Sequence, residues 1–174
     1  MGSMMEEGFG ESAFAARCKA LCRDLLRDFE GLKQKENLSY GERLYRDYGI
    51  TGIRGEAAEG FPSVLQVGLP ALREGSEAGK SLNDAALVAL LRLIQAVQDT
   101  NILTRSDPQT LQWAQQQAGK ALEQGAGPEQ MRELDRAFTA RNLSPGGCAD
   151  LLALENPIYI NIDRLDETTR KITI

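Results

Sequence analysis

The stretch AALVALLRLIQAV, residues 85–97, is the longest apolar run of this 174-residue chain. Asn83 and Asp84 precede it, and short polar side chains of this kind are typical of the start of a helix. The run is shorter than the roughly 20 apolar residues that a bilayer-spanning helix needs. It therefore predicts a central buried helix, which brings Asp99 to its C-terminal end.

Helix signals lie on both sides of this run. Apolar residues recur at intervals of three and four from about residue 12 to residue 29. Ser39 with Glu42 forms a capping-box pattern for a helix that ends near Tyr48, where Gly49 suits the left-handed stop. Further helices are predicted over 52–59, over 62–74 with a kink at 68–70, over 107–125, and from 127 and 144 onward. The pattern predicts an all-α fold, a helical bundle of about seven helices.

The two ends of the chain differ from this pattern. Residues 1–11 are interpreted as a tag or disordered start, and 12–155 as the all-α region. In the tail, 156–174, Pro157 stops the last helix, and Ile158, Ile160 and Ile162 alternate as in a strand. The tail is predicted to be a short strand-like segment, which makes it a candidate for pairing with the edge of another chain.

Composition narrows the possible functions. The net charge of −5 disfavours a broad nucleic-acid surface, and no run predicts a membrane span. Cys18, Cys22 and Cys148 are too few for a disulfide framework, and without a signal peptide they favour a cytoplasmic location. Cys18 and Cys22 are predicted to be small buried residues. Because the chain contains no histidine, acid–base chemistry is expected to use carboxylates.

The segment RNLSPGGCADLLAL, residues 141–154, combines a turn, two glycines and a carboxylate. Ser144 is predicted as a helix N-cap and Pro145 as the first helical residue. Gly146 and Gly147 in the first turn have two explanations. They could leave backbone N–H groups open to a phosphate, with Asp150 on the same face, or they could allow another helix to approach closely.

This segment resembles the C-terminal signature of the triphosphoribosyl-dephospho-coenzyme A synthase family. Two further blocks match in order and spacing: GERLYRDYGITGIRGEAAEGFPSV at 41–64, and DTN at 99–101, which LQWAQ follows later. The resemblance spans about residues 13–155. It implies transfer of the triphosphoribosyl group of ATP to a hydroxyl of dephospho-coenzyme A with release of adenine. ATP and dephospho-coenzyme A are then the expected partners, with Mg²⁺ as the expected cofactor.

The implied reaction is a displacement at a ribose anomeric carbon, which needs a carboxylate and cations on the triphosphate. Asp99 and Asp150 are the candidate catalytic residues, and Asp99 is also the candidate Mg²⁺ ligand. The candidate substrate-binding residues are Arg54, Glu56, Asn101, Arg105, Asn142, Ser144, Gly146 and Gly147. Two alternatives stay open: that Asp99 merely terminates a helix, and that Arg54 and Glu56 form a surface ion pair.

The chain also departs from the family pattern. Arg105 is followed by Ser106 and Asp107, where the family typically has a Gly-Gly pair. The N-terminal motifs of the family, PKPGLVD and Thr-His-Lys-Gly, have no counterpart, so the chain corresponds to the C-terminal half. Two hypotheses follow. Either a partner chain or a homo-oligomer completes the enzyme, or the chain is a truncated, non-catalytic binding or assembly module that oligomerises through exposed apolar surface.

Overall fold

The computed structural model describes residues 10–32, 35–155 and 158–159, and these residues are mostly helical. In chain order the helices are α1 (Glu11–Cys22), α2 (Tyr40–Tyr48), α3 (Gly52–Ala58), α4 (Leu69–Glu77), α5 (Leu82–Ala96), α6 (Thr100–Arg105), α7 (Pro108–Glu123), α8 (Pro128–Ala140) and α9 (146–155). The part of the chain that the structure describes contains no strand. The predicted all-α class is confirmed.

The central helix is α5, as the apolar run predicts. It packs against α4 on one side and α7 on the other. Leu91, Leu93 and Ile94 of α5 are almost completely buried and belong to the main core. At about 25 cal/mol for each Å² of apolar surface, burial of such side chains is the main force that holds the bundle together.

The predicted capping box at the start of α2 is confirmed. The Ser39 side chain accepts a hydrogen bond from the Glu42 backbone N–H, and the Ser39 N–H donates to Glu42 Oε2 at 2.7 Å. Lys35 Nζ lies 2.6 Å from Glu42 Oε1. The hydrogen bond from Lys35, followed by the two with Ser39, lowers the pKa of Glu42 to about 2.

Other helices also begin at side-chain caps, in part a few residues away from the predicted starts. Ser81 caps α5 by accepting from the Asp84 N–H, so this helix begins earlier than the apolar run. Asp107 caps α7 by accepting from the Thr110 N–H at 2.7 Å, and Pro108 occupies the first helical position. Each of these caps pairs a backbone donor that the helix itself leaves free.

Where the sequence predicts a kink at 68–70, the structure has a π-helical turn at Val64–Gly68, directly before α4. The Leu69 N–H bonds to the Val64 carbonyl five residues back, which adds one residue to the turn. Gly68 has no space for a side chain, because an added Cβ would meet the carboxylate of Glu155 in α9. A π turn of this kind often marks a functional region of a helix.

The first helix is shorter and more exposed than the apolar periodicity indicates. It ends at Cys22, and the chain continues through a turn into a 3₁₀ turn at Arg27–Phe29. No residue of α1 is buried, and Leu21 is 77% exposed. Cys18 and Cys22 are only partly buried, so the prediction that they are buried residues is wrong. Within the described residues, no element covers this stretch fully.

The structure tests the predictions for the two ends of the chain at only a few residues. Residues 1–9 and most of the tail lie outside the described residues, and α1 begins at Glu11. Ile158 and Tyr159, the described tail residues, are helical, so the strand prediction is wrong at these two positions. None of the helices described here combines the length and apolar character needed to cross a bilayer.

Glu155 is a buried carboxyl group near the end of α9. It is fully inaccessible, and neither carboxylate oxygen has a hydrogen-bond partner among the described residues. Burial raises the pKa of Glu155 to about 8. The folded protein therefore holds this group protonated at a pH where the unfolded chain has already released the proton, and ionising it in place would be costly.

We predict that Glu155→Gln stabilises the protein at alkaline pH. The unfolded carboxyl loses its proton near pH 4.5 and the folded one near pH 8. The native protein should therefore lose stability as the pH rises between these values, by up to a few kcal/mol at about 1.4 kcal/mol per pKa unit. The uncharged glutamine removes this dependence. Urea unfolding at pH 5 and pH 8.5 measures the free energy of unfolding of both proteins. An equal change of this free energy with pH in the two proteins would contradict the prediction.

Candidate active site

A cleft of about 500 Å³ lies where several helix ends meet. Its walls come from the loop between α2 and α3, from α3, from the turn between α5 and α6, and from the first turns of α9. The lining residues are Gly49, Ile50, Thr51, Gly52, Ile53, Gly55, Glu56, Glu59, Ser63, Ala96, Val97, Gln98, Asp99, Thr100, Asn101, Gly147, Asp150 and Leu151. A space of this size is typical of small-molecule sites.

Asp99 is a buried carboxylate in the wall of the cleft, and its hydrogen bonds link two of the helices that form the cleft. It is only 2% exposed, and its Oδ1 accepts from the backbone N–H groups of Asn101 at 2.7 Å and Ile102 at 3.3 Å. Its Oδ2 accepts from the Cys148 N–H at 2.9 Å. One carboxylate therefore caps the start of α6 and, 49 residues away in sequence, the start of α9. Asp99 begins a helix rather than ending one.

This long-range cap changes the start of α9. The helix begins at residue 146, and the Pro145 carbonyl accepts the first helical bond, from Ala149 at 3.0 Å. Pro145 is therefore the N-cap residue, and the prediction that Ser144 fills this position is wrong. Proline has no side-chain acceptor, so the N–H of Cys148, the third helical residue, bonds to Asp99 instead.

The two glycines of α9 are explained by close packing. An added Cβ on Gly147 would lie 3.2 Å from three atoms of the Asp99 carboxylate. An added Cβ on Gly146 would lie 2.8 Å from Nδ2 of Asn101. The absence of side chains at these positions lets α9 approach the 99–101 turn closely enough for the Cys148–Asp99 hydrogen bond. Of the two explanations for the glycine pair, the structure supports the one based on packing.

The loop between α2 and α3 also packs against the 99–101 turn. Gly52 has a φ of 57°, and an added Cβ would lie 3.0 Å from Cγ2 of Thr100. Such a φ favours glycine, because a side chain would strain the backbone. The Thr51 side chain packs against Gly55 one turn further along α3. These contacts place the 49–52 loop beside Asp99.

Two other groups in the cleft have well-defined partners. Glu56 accepts from Ser63 twice, from its hydroxyl at 2.5 Å and its backbone N–H at 3.1 Å, which ties α3 to the start of the next helical segment. Cys148 lies behind the wall. Burial first, and then the negative charges of Asp99 and Glu56, raise the pKa of the Cys148 thiol. This cysteine therefore stays protonated and is a poor nucleophile.

The structure brings half of the predicted site residues together. Those that line the cleft are Glu56, Asp99, Asn101, Gly147 and Asp150. The predicted residues outside its lining are Arg54, Arg105, Asn142, Ser144 and Gly146. Arg54 pairs with Asp28 at 3.0 Å and stacks over the ring of Phe29, so it does not pair with Glu56.

Asn142 has a conformational role at the end of α8. Its φ of 53° is left-handed, a conformation that asparagine tolerates better than most residues. Its N–H bonds to the Thr139 carbonyl, and the next N–H, from Leu143, bonds back to Phe138. This is the hydrogen-bond pattern that commonly ends a helix. The next helix, α9, then starts beside the cleft.

Sequence reasoning missed several residues of the cleft. Thr51, Glu59, Ser63, Gln98 and Thr100 line it, although none was a candidate. Four of them lie within the matched blocks and Gln98 directly precedes one, and the GITG turn at 49–52 is the signal that could have identified the loop. Which short polar side chains would face the cleft depends on the tertiary packing of the loop.

The charge of the cleft is strongly one-sided. Glu56, Glu59, Asp99 and Asp150 line it, whereas the described lining includes no lysine or arginine. Within the described residues, no three acidic, cysteine or histidine side chains are close enough together to hold a metal ion. Asp99 in particular already uses both oxygens for backbone N–H groups. Anionic groups would need cations that this part of the wall does not supply.

Fold and site together define an all-α protein whose cleft is built from helix termini drawn from three separate stretches of sequence. The chain belongs to the CitG family, ATP:dephospho-CoA triphosphoribosyl transferase, whose family model matches residues 11–168. The resemblance seen in the three sequence blocks is thereby confirmed, and the match continues past residue 155 into the tail.

Individual relatives agree with this assignment. The chain is 42% identical over 146 residues to a probable 2-(5''-triphosphoribosyl)-3'-dephosphocoenzyme-A synthase of Lactiplantibacillus plantarum, covering 79% of this chain and 51% of the relative. It is 43% identical over 143 residues to the synthase of Pectobacterium atrosepticum, covering 80% and 46%. The chain thus spans about half the length of the curated relatives it matches. No solved structure matches it significantly.

We predict that Asp99→Ala destabilises the protein more than the loss of an ordinary helix cap. The substitution leaves three backbone N–H groups without their acceptor, one of them in a different helix. The expected cost is about 2–4 kcal/mol, since a lost cap costs about 1 kcal/mol and each buried unpaired donor costs about 1–3 kcal/mol. Chemical denaturation measures the change.

Asp107→Ala is the matched control. Asp107 caps α7 through one N–H at an exposed position, so its loss should cost about 1 kcal/mol. Equal destabilisation by the two substitutions would show that the bond from Asp99 to Cys148 contributes nothing to stability.

Proposed function

We propose that this chain forms part of the site that transfers the triphosphoribosyl group of ATP to 3'-dephospho-coenzyme A, with release of adenine. One observation carries the proposal: blocks 41–64, 99–101 and 141–154, far apart in sequence, contribute to one cleft. The alternative of a non-catalytic module is not favoured, since the relatives carry the name of the synthase.

The proposed reaction breaks the bond between the ribose anomeric carbon and adenine and forms a bond to the acceptor oxygen. The acceptor hydroxyl must lose a proton, and the departing adenine must gain one. A carboxylate that reaches the cleft can accept the proton or stabilise the positive charge that develops on the ribose. The chain has no histidine, so carboxylates are its natural candidates for this role.

We assign this role to Asp150. It projects from the second turn of α9, lines the cleft and is exposed, so a substrate can reach it. Asp99, the other predicted catalytic residue, is nearly inaccessible and bonds to three N–H groups. We therefore propose that Asp99 positions Asn101 and Gly147, and that Asn101 offers its amide to a ribose hydroxyl or phosphate.

The residues of the cleft suit Mg²⁺ only as an ion that is already bound to the substrate. Mg²⁺ commonly binds through substrate phosphates, water and one or two protein carboxylates. Asp99 does not suit it as a ligand, because its two oxygens already accept backbone hydrogen bonds. We propose that Mg²⁺ enters with the triphosphate of ATP and that the exposed carboxylates Asp150 and Glu59 are its nearest protein groups. The predictions for Arg54, Arg105, Asn142 and Ser144 have no support from the cleft.

We also propose that the protein works in the cytoplasm. Its described cysteines are free thiols, which is typical of a reducing compartment.

We predict that Asp150→Ala weakens binding of Mg²⁺–ATP at least about tenfold, which corresponds to about 1.4 kcal/mol. The substitution removes the accessible carboxylate that faces the metal–triphosphate and the ribose. Isothermal titration calorimetry on the purified chain measures the affinity, and adenine release with added dephospho-coenzyme A is the second readout.

Asp135→Ala provides the control. Asp135 is an exposed carboxylate of α8 outside the lining of the cleft, so its loss changes the net charge by the same amount. Its binding should match that of the parent. Unchanged affinity in Asp150→Ala, or an equal loss in both variants, would contradict the assignment of Asp150.

A further inference from the structure

A group of exposed apolar side chains lies on the elements next to the cleft. It consists of Leu21, Leu25, Tyr45, Tyr48 and Ile53, with exposures of 77%, 42%, 37%, 58% and 52%. We call this group the apolar face. Large apolar side chains that cluster on a surface are typical of an interaction site.

The apolar face is held on a continuous platform. Helix α1 packs against α3, and the 3₁₀ turn that follows Leu25 packs against α2. At the centre lies Phe29, which is buried under the ring of Tyr45 at 4.5 Å and the guanidinium of Arg54 at 5.4 Å. The platform is therefore ordered although its outer side chains are uncovered within the described residues.

The apolar face borders the cleft. Ile53 belongs to both, because it lies in the first turn of α3 and also lines the cleft. Anything that covers Ile53 would therefore also contact the wall of the cleft. The described cleft lining carries four carboxylates and no basic side chain, so the cations that a polyphosphate needs there must come from bound Mg²⁺ or from groups outside this lining.

We infer that the apolar face is the docking surface for the half of the family's length that lies outside this match, and that this half brings basic side chains to the acidic cleft. The matched regions make up 51% and 46% of these two relatives, so about half of each relative lies outside the match. An apolar face next to an acidic cleft is complementary to a partner surface with an apolar centre and basic side chains at its edge. The inference deepens the proposed function, but docking does not require catalysis.

The test is co-expression of this chain with an affinity-tagged polypeptide, the half of the Lactiplantibacillus plantarum relative that lies outside the match. The parent chain should co-purify with it in a one-to-one complex. Leu25→Asp and Ile53→Asp should each reduce the recovered complex about tenfold or more, because each puts a charge into a buried apolar contact. No nucleotide is added, so failure of the proposed reaction would not affect the result.

Leu82→Asp is the matched control. Leu82 is 53% exposed, about as exposed as Ile53, but it lies at the start of α5 outside the apolar face. This variant should co-purify like the parent. Circular dichroism melts check that all three variants fold. Absence of the complex with the parent chain, or equal recovery with all variants, would overturn the inference.

Two further measurements test the role of charge in the complex and the identity of the partner. Glu59→Gln should make the complex less sensitive to salt, since it removes one carboxylate from the attraction. Light scattering of this chain alone tests for a second copy on the face. A dimer that Leu25→Asp and Ile53→Asp disrupt, and Leu82→Asp does not, would show that the occupant is another copy and would overturn the inference.

Discussion

The three hydrogen bonds to Asp99 are the constraint on which the cleft depends. One buried carboxylate satisfies donors at the starts of α6 and α9, so these helices cannot move apart without leaving the Cys148 N–H unpaired in the interior. The glycine pair of α9 and the 49–52 loop follow from this arrangement, because both must approach the 99–101 turn closely. The cleft is the space that remains between these helix ends.

This geometry divides the acidic residues into two groups by accessibility. Asp99 accepts hydrogen bonds from backbone N–H groups inside the wall, and Glu56 accepts a hydrogen bond from Ser63. Asp150 lies on the exposed side of α9, where a substrate can reach it. Residue type alone does not separate these groups; their hydrogen-bond partners do. An acidic surface of this kind suits a substrate that arrives with its own cations.

Much of the fold could be predicted from the sequence, because its signals are local. The apolar run at 85–97, the Ser39–Glu42 capping box and the aspartate–proline start at 107–108 each act within one or two turns of helix. The site was less predictable. The cap of α9 comes from a residue 49 positions away, and Arg54 turns to Asp28 across 26 positions. Such pairings depend on how helices pack, which periodicity does not encode. The sequence does not show that the three blocks meet; the structure brings them into one cleft.

The π turn at Val64–Gly68 sets the helical phase between two parts of the protein. An α-helix advances about 100° per residue, so the one additional residue in this turn rotates everything after it relative to everything before it. Before the turn, Ser63 meets Glu56 at the cleft; after it, Leu69 and Leu72 are buried in the bundle. A regular helix of the same sequence could satisfy only one of these orientations. The length of this segment is therefore fixed, and losing a single residue from it would uncouple the cleft wall from the core.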